Sequence, residues 1–181
     1  DLKDNSNPLY ITMGNPDLKP SYTSNISGEY HAFDTEKQSG FVTRGNFSTT
    51  KNSISNRVEY NPENGGSITR PENINGNWNA FYMIGGNFAL KDTRYTMSTY
   101  TNLRYNHYVS YLYQNFETKK STTKSFNPSE NISASFRDEK VELTLSGMVM
   151  WSHSRNALRT SGRWPHMPPL FCLACAARIL L

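Results

Sequence analysis

Cysteine is absent from this 181-residue chain until Cys172. The body therefore holds no disulfide framework, which suits an exported chain that does not depend on one. Long apolar runs are missing too: no stretch approaches the ~20 consecutive apolar residues that a transmembrane helix requires. Only 36% of the residues are hydrophobic and mean hydropathy is −0.68, values that would suit a disordered chain. Disordered chains, however, are poor in aromatics, and this one carries 11 Tyr, 9 Phe and 3 Trp. Asp1-Leu2-Lys3-Asp4 lacks the basic-then-apolar pattern of a signal peptide, so an exported protein that starts this way is expected to be trimmed or a fragment.

Net charge of one sign is also missing from most of the chain. All 15 acidic residues precede Arg155, as do 15 of the 19 basic ones. The formal +4 comes from Arg155, Arg159, Arg163 and Arg178, so the body is neutral and offers no case for nucleic-acid binding. His31, His107, His153 and His166 share no metal-like spacing, and no carboxylate pair is fixed at short range. The chain is expected to be no enzyme and to need no metal or cofactor. Cys172-Leu173-Ala174-Cys175 is a lone CxxC, without the second ligand pair of a zinc site or the βαβ context of a redox motif.

What the sequence does have is alternation, which predicts strands. Tyr22, Ile26, Gly28, Tyr30 and Ala32 oppose Thr23, Asn25, Ser27, Glu29 and His31. Phe41, Thr43, Gly45 and Phe47 oppose Val42, Arg44, Asn46 and Ser48. Further runs start near Ile74, Tyr95 and Ile132, and the cleanest sets Val141, Leu143, Leu145, Val149 and Trp151 against Glu142, Thr144, Ser146 and Ser152. Short charged turns at Asp34–Gln38, Lys91–Thr93 and Arg137–Lys140 take turns with longer polar stretches, roughly Ser55–Asn73 and Val109–Lys124. Short turns at one end and long loops at the other are the rhythm of an outer-membrane β-barrel. The apolar face is Tyr, Phe, Gly, Ala and Thr with scattered aliphatics, whereas a soluble sandwich would bury more Val, Leu and Ile. Aromatics near strand ends, Tyr22, Trp78, Phe88, Tyr95, Tyr105 and Trp151, are expected to form interfacial girdles.

The expected fold is all-β, an antiparallel up-and-down meander of about six strands. Small single-chain barrels use about eight strands. An open edge in hydrocarbon leaves N–H and C=O groups unpaired, at several kcal/mol each. Residues 1–156 are therefore expected to be part of a larger transmembrane barrel.

Met13-Gly14-Asn15-Pro16-Asp17-Leu18-Lys19-Pro20 is the most specific run in the chain. Together with Thr50–Asn56, Pro71–Trp78 and Trp151–Asn156 it resembles the β-barrel of TonB-dependent outer-membrane receptors, over roughly Pro8 to Asn156. Ser21 departs from the Glu usual after the second Pro. The resemblance implies a barrel of about 22 strands in the outer membrane of a Gram-negative bacterium. It further implies outer-membrane lipid around the wall, a plug domain that contacts TonB, and uptake of a bulky nutrient such as a glycan or siderophore. No plug or TonB-box sequence is recognisable here. In related receptors the signature run lies at the extracellular end of its strand, which makes the 34–38 connection periplasmic.

Within the signature, Pro16 and Pro20 fix φ and disfavour helix in the residue before each. Asn15, Pro16, Asp17, Leu18, Lys19 and Pro20 are therefore expected to form a structural lead-in. Arg44, Arg104, Glu29 and Asn77 fall on the polar face, as lumenal guides or as solvated cross-strand partners. The two long loops are the candidates for ligand capture, with Tyr60, Tyr111, Tyr113 and Phe116 available to stack on flat ligands. Packing within the loops is an equal alternative for Tyr60 and Phe116. From about Ala157 alternation stops and acids vanish, so residues 157–181 are expected to be an atypical tail of frameshifted or foreign coding, with an irregular or short helical segment packed on the strands as the alternative. A soluble or cell-surface β-domain for adhesion or carbohydrate binding is the alternative reading; only the barrel segment should need detergent.

Overall fold

The alternating runs form strands with one polar and one apolar face. A computed structural model describes residues 3–4, 9–60, 65–90, 94–114, 117–157 and 170–179. Its strands are β1 (Lys3–Asp4), β2 (Tyr10–Met13), β3 (Tyr22–Asp34), β4 (Ser39–Lys51), β5 (Ser53–Tyr60) and β6 (Ser67–Ile74). Then follow β7 (Asn77–Ala89), β8 (Tyr95–Gln114), β9 (Glu117–Arg137), β10 (Val141–Met150), β11 (His153–Asn156) and β12 (Leu170–Ile179). The large sheet runs β12-β10-β9-β8-β7-β4-β3, every neighbour antiparallel. A small sheet, β1-β2-β6-β5, departs from the meander, with β2 and β6 parallel.

β11 continues β10 along β9 in the same register, interrupted at Trp151–Ser152. The gap falls opposite Pro128, which has no N–H to give the ladder. The Trp151 N–H donates to the Pro128 carbonyl at 3.0 Å, so one of the two bonds survives. The Asp34–Gln38 turn is closed by the Asp34 carboxylate, which accepts from the N–H groups of Glu36 (3.0 Å) and Lys37 (3.1 Å). The bond from Lys37 holds the Asp34 carboxyl below its usual range.

Among the described residues the large sheet encloses no protein core. Among the described residues only Ile74 and Val109 are buried hydrophobics, and neither lies on its apolar face between the aromatic rows described below. Along β10 the apolar Val141, Leu143 and Leu145 are exposed, while the polar Glu142, Thr144 and Ser146 are half-buried. That pattern inverts the one a globular sheet shows, and exposed apolar surface on this scale marks contact with something outside the chain.

The register arranges that apolar surface as a band between two rows of rings. At one end Trp78 stacks on Tyr105 (5.0 Å between centroids) and on His107 (5.6 Å), with Phe47 5.7 Å from Trp78. Phe126, Trp151 and His153 continue the row. At the other end Tyr95 packs on Phe136 at 4.9 Å, with Phe88 opposite Met97, two residues along β8 from Tyr95. Ten residues of β8 separate Tyr95 from Tyr105, ~34 Å of strand and ~25 Å of height at the ~40° tilt usual in barrels. The band therefore matches the hydrocarbon thickness that an outer-membrane wall presents.

Several sequence expectations need correction. The sheet system holds more than six strands. The polar stretches 55–73 and 109–124 are mostly strand and not loop, because β5 pairs β6 and β8 pairs β9 far beyond the girdle. Pro71 sits inside β6, where the pairing with β2 has already ended, so its missing N–H costs no bond there. Ile74 closes β6 and does not open β7; Gly76, at φ 113°, lies between them in a conformation that favours glycine. Nor is the tail helical or irregular over 170–179: β12 pairs with β10 over its whole length. Backbone bonds to an open edge need no side-chain alternation, and this stretch has neither Pro nor Gly to interrupt them. Phe116, the 91–93 turn and residues 158–169 of the tail lie outside the described residues.

Candidate functional site

The signature run is a hub of backbone and amide bonds. The Asn15 amide donates to the Pro71 carbonyl at 2.9 Å, while its Oδ1 accepts from Arg70 (3.0 Å) and from the Asp17 N–H (3.1 Å). Asn73 receives the Lys19 N–H at 2.7 Å and donates to the carbonyls of Lys19 and Asn52, both at 2.9 Å. The Asn52 amide reaches the Pro20 carbonyl at 3.3 Å, and its N–H donates to Asn75 at 2.7 Å. Asn52 itself sits at φ 53°, a left-handed position that Asn tolerates. Three of the sequence motifs thus meet at one point, where Asn side chains satisfy backbone groups that have no ladder. Asp17 adds an exposed contact to Arg70 at 3.9 Å, and the Leu18 N–H donates to the Asn15 carbonyl at 3.3 Å.

On the polar face, Arg44 pairs with Glu29 directly across β3 and β4 at 2.8 Å. Arg104 lies 5.7 Å from the Phe81 ring centroid, again across one register step. Asn77 is buried and accepts the Val109 N–H at 2.6 Å, which ties β7 to the extension of β8. These contacts account for all four of these side chains within the wall. A shallow depression of about 290 Å3 on the same face is lined by Tyr100, Asn131, Ser133, Ser146, Met148 and Cys172 among others.

Beyond the girdle, the extended β8–β9 hairpin meets the small sheet. The Ser55 hydroxyl accepts the Tyr111 N–H at 3.2 Å, and the Thr118 hydroxyl donates to the Val58 carbonyl. Ile74 and Val109 are buried here, with Ser121 enclosed by its bond to Asn156 at 2.7 Å. Among the described residues both buried hydrophobic side chains lie at this junction. On it Tyr60 lies 6.1 Å from Tyr113, and the Arg57 guanidinium lies 6.0 Å from the Tyr111 centroid. Arg57 pairs with Glu72 at 3.5 Å and Glu59 at 3.4 Å. Burial, then the Glu72 carboxylate that its hydroxyl bonds, push the Tyr111 phenol above its ordinary range; burial and the neighbouring Tyr60 do the same to Tyr113. The Tyr113 hydroxyl is enclosed without a hydrogen-bond partner, and Arg57 Nε, 3.4 Å from Glu59 Oε1, has no well-aligned one.

Three of the four predicted ligand-loop residues therefore share one cluster, and Phe116 lies outside the described residues. Arg57 and Glu72 were missed, because only the β5–β6 register brings them to the tyrosines. Their charge opposite an aromatic strand was the available signal. Since the folded-state phenol of Tyr111 titrates higher than the unfolded one, the stabilisation is complete below pH ~10 and is lost as pH rises through the folded pKa. Tyr111→Phe in the full-length protein is expected to remove one late-titrating tyrosine from the absorbance change at 295 nm.

Among the described residues no group of three or more His, Cys, Asp or Glu is placed to hold a metal ion. Among the described residues no helix is long and apolar enough to cross a membrane, which says nothing of crossing by strands. No curated protein and no solved structure matches the chain. A family model, the outer membrane protein beta-barrel family, matches residues 1–164. With its lipid-thick apolar band, its meander and this match over most of its length, the chain belongs to the outer membrane protein beta-barrel family and forms part of a barrel wall in an outer membrane.

Proposed function

We propose that this wall belongs to a TonB-dependent receptor that imports a bulky nutrient across the outer membrane of a Gram-negative bacterium. The short Asp34–Gln38 and Arg137–Val141 turns face the periplasm; the β8–β9 hairpin and the small sheet face outward. The polar face lines the lumen, where a plug that contacts TonB fits against Ser, Thr and Asn side chains. The role is transport and not catalysis.

The observation that carries this reading is the Tyr60–Tyr111–Tyr113 cluster with Arg57 and Glu72, raised above the girdle on paired strands. Rings give flat ligands a stacking surface, and the guanidinium–carboxylate pair supplies donors and acceptors at its rim. A rigid, polar, aromatic mount outside the membrane suits capture of a glycan or a metal chelate before passage. The resemblance of the signature run and its partner motifs to TonB-dependent receptors supports the energised mechanism.

The test is uptake of labelled oligosaccharides and ferric chelates by cells carrying the full-length protein. Uptake is expected to saturate, to stop when TonB is deleted, and to need more ligand for half-saturation in Tyr111→Ala. Uptake that rises linearly with concentration and ignores TonB would make the barrel a passive pore.

A further inference from the structure

One level of the lipid-facing surface carries cations with nothing to balance them. Trp78, His107, Lys124 and Arg155 stand side by side on β7, β8, β9 and β11, one register step apart. Lys124 and Arg155 are direct cross-strand partners, so their Cβ atoms are ~5 Å apart, and like charges in that position repel. Both are exposed, and neither has a carboxylate within ion-pair reach among the described residues. The acids nearest along β9 are already engaged: Glu117 with Lys119 at 2.7 Å, and Glu130 with the hydroxyls of Thr99 and Thr101. Directly below lies the aromatic row, where Trp151 stacks on His153 at 5.7 Å and meets Phe126 edge-on at 6.4 Å.

This is the depth at which lipid headgroups meet the wall. A cation row over an aromatic shelf fits a headgroup that carries phosphate above and acyl chains below. A phosphate between Lys124 and Arg155 would turn their repulsion into two charge-assisted bonds, with the guanidinium offering its fork. We infer that Lys124 and Arg155 form a docking site for a phosphorylated lipid headgroup of the outer leaflet. The site itself rests on the barrel wall, and only its leaflet rests on the orientation proposed above. Ligand uptake plays no part in it.

The experiment is native mass spectrometry of the full-length protein in detergent. The probe is a bis-phosphorylated acylated glucosamine disaccharide, compared with its dephosphorylated form and with inorganic phosphate. The wild type is expected to hold the phosphorylated lipid, to release it at high salt, and to hold the dephosphorylated form weakly. Lys124→Gln with Arg155→Gln is expected to weaken binding roughly 30-fold, and Lys124→Arg with Arg155→Lys to restore most of it, with TonB-dependent uptake unchanged throughout. Arg155→Gln alone gives an intermediate loss if the double variant assembles poorly. Equal binding of the two lipid forms, or unchanged binding in the Gln variants, would overturn the site. Inorganic phosphate competing as strongly as the lipid would reduce it to a free-anion site and overturn the lipid assignment.

Discussion

Ile132→Arg is expected to lower the folding equilibrium constant of the full-length protein in lipid vesicles, measured against denaturant, by about two orders of magnitude, while Asn131→Arg next to it changes little. Ile132 is 46% exposed and lies inside the band, between the Phe126 and Phe136 rows of β9. An Arg at the midplane of a lipid-facing strand costs ~2–4 kcal/mol, and the isoleucine's own contact with hydrocarbon is lost as well. Asn131 points to the opposite face, among Ser129, Ser133 and the other polar residues of β9, where a guanidinium stays hydrated. Its replacement is expected to fall within ~0.5 kcal/mol of neutral. Heat-modifiable electrophoretic mobility after refolding measures both. Equal losses from the two variants would mean that both faces are wet, and the membrane wall would be wrong.

The second large effect is expected at Asn73. One side chain there accepts from Lys19 and donates to the carbonyls of Lys19 and Asn52. Asn73→Ala removes all three bonds and leaves a half-buried carbonyl without its donor, a loss of ~2–3 kcal/mol at the usual ~1 kcal/mol per bond. The cost is local, because the strands on either side keep their own ladders. Amide exchange at Leu18 and Lys19 is expected to accelerate by one to two orders of magnitude, with β8 and β9 unchanged. Asn73→Asp keeps the acceptor for Lys19 and loses both donations, so an intermediate value is expected. Unchanged protection at Lys19 in Asn73→Ala would show that Pro16 and Pro20 hold the segment without help.

Much of the wall was legible in the sequence. A period of two is a property of the strand backbone, so Val141 to Trp151 declares its faces without knowing its neighbours. Short turns such as Asp34–Gln38 are also local, since one Asp closes the bend with its own carboxylate. The strands above the membrane were harder to read. Ser55–Asn73 and Val109–Lys124 are rich in polar residues, and with few aliphatics to mark an apolar side they look like loop even where the backbone is paired. β12 was hidden for a related reason: its bonds are made by backbone groups, which the sequence does not vary.

The site divides along the same line. Tyr60, Tyr111 and Tyr113 stood out as aromatics in polar stretches, but Arg57 and Glu72 join them only through the β5–β6 pairing and the docking of β5 on β8. The signature run showed its stiffness in two prolines, while its fastening to Asn73 spans 54 residues of sequence.

By itself, the sequence determined the class of the protein: strands with a wet and an apolar face, rings at the ends of the apolar runs, no helix fit to span a membrane. Those features depend on nearest neighbours and on the two-residue repeat. Only the tertiary structure decided which residues share a level or a cluster. Cross-strand register sets that, and it placed Lys124 beside Arg155 and Arg57 beside Tyr111, because a shift of one residue would have turned either pair to opposite faces.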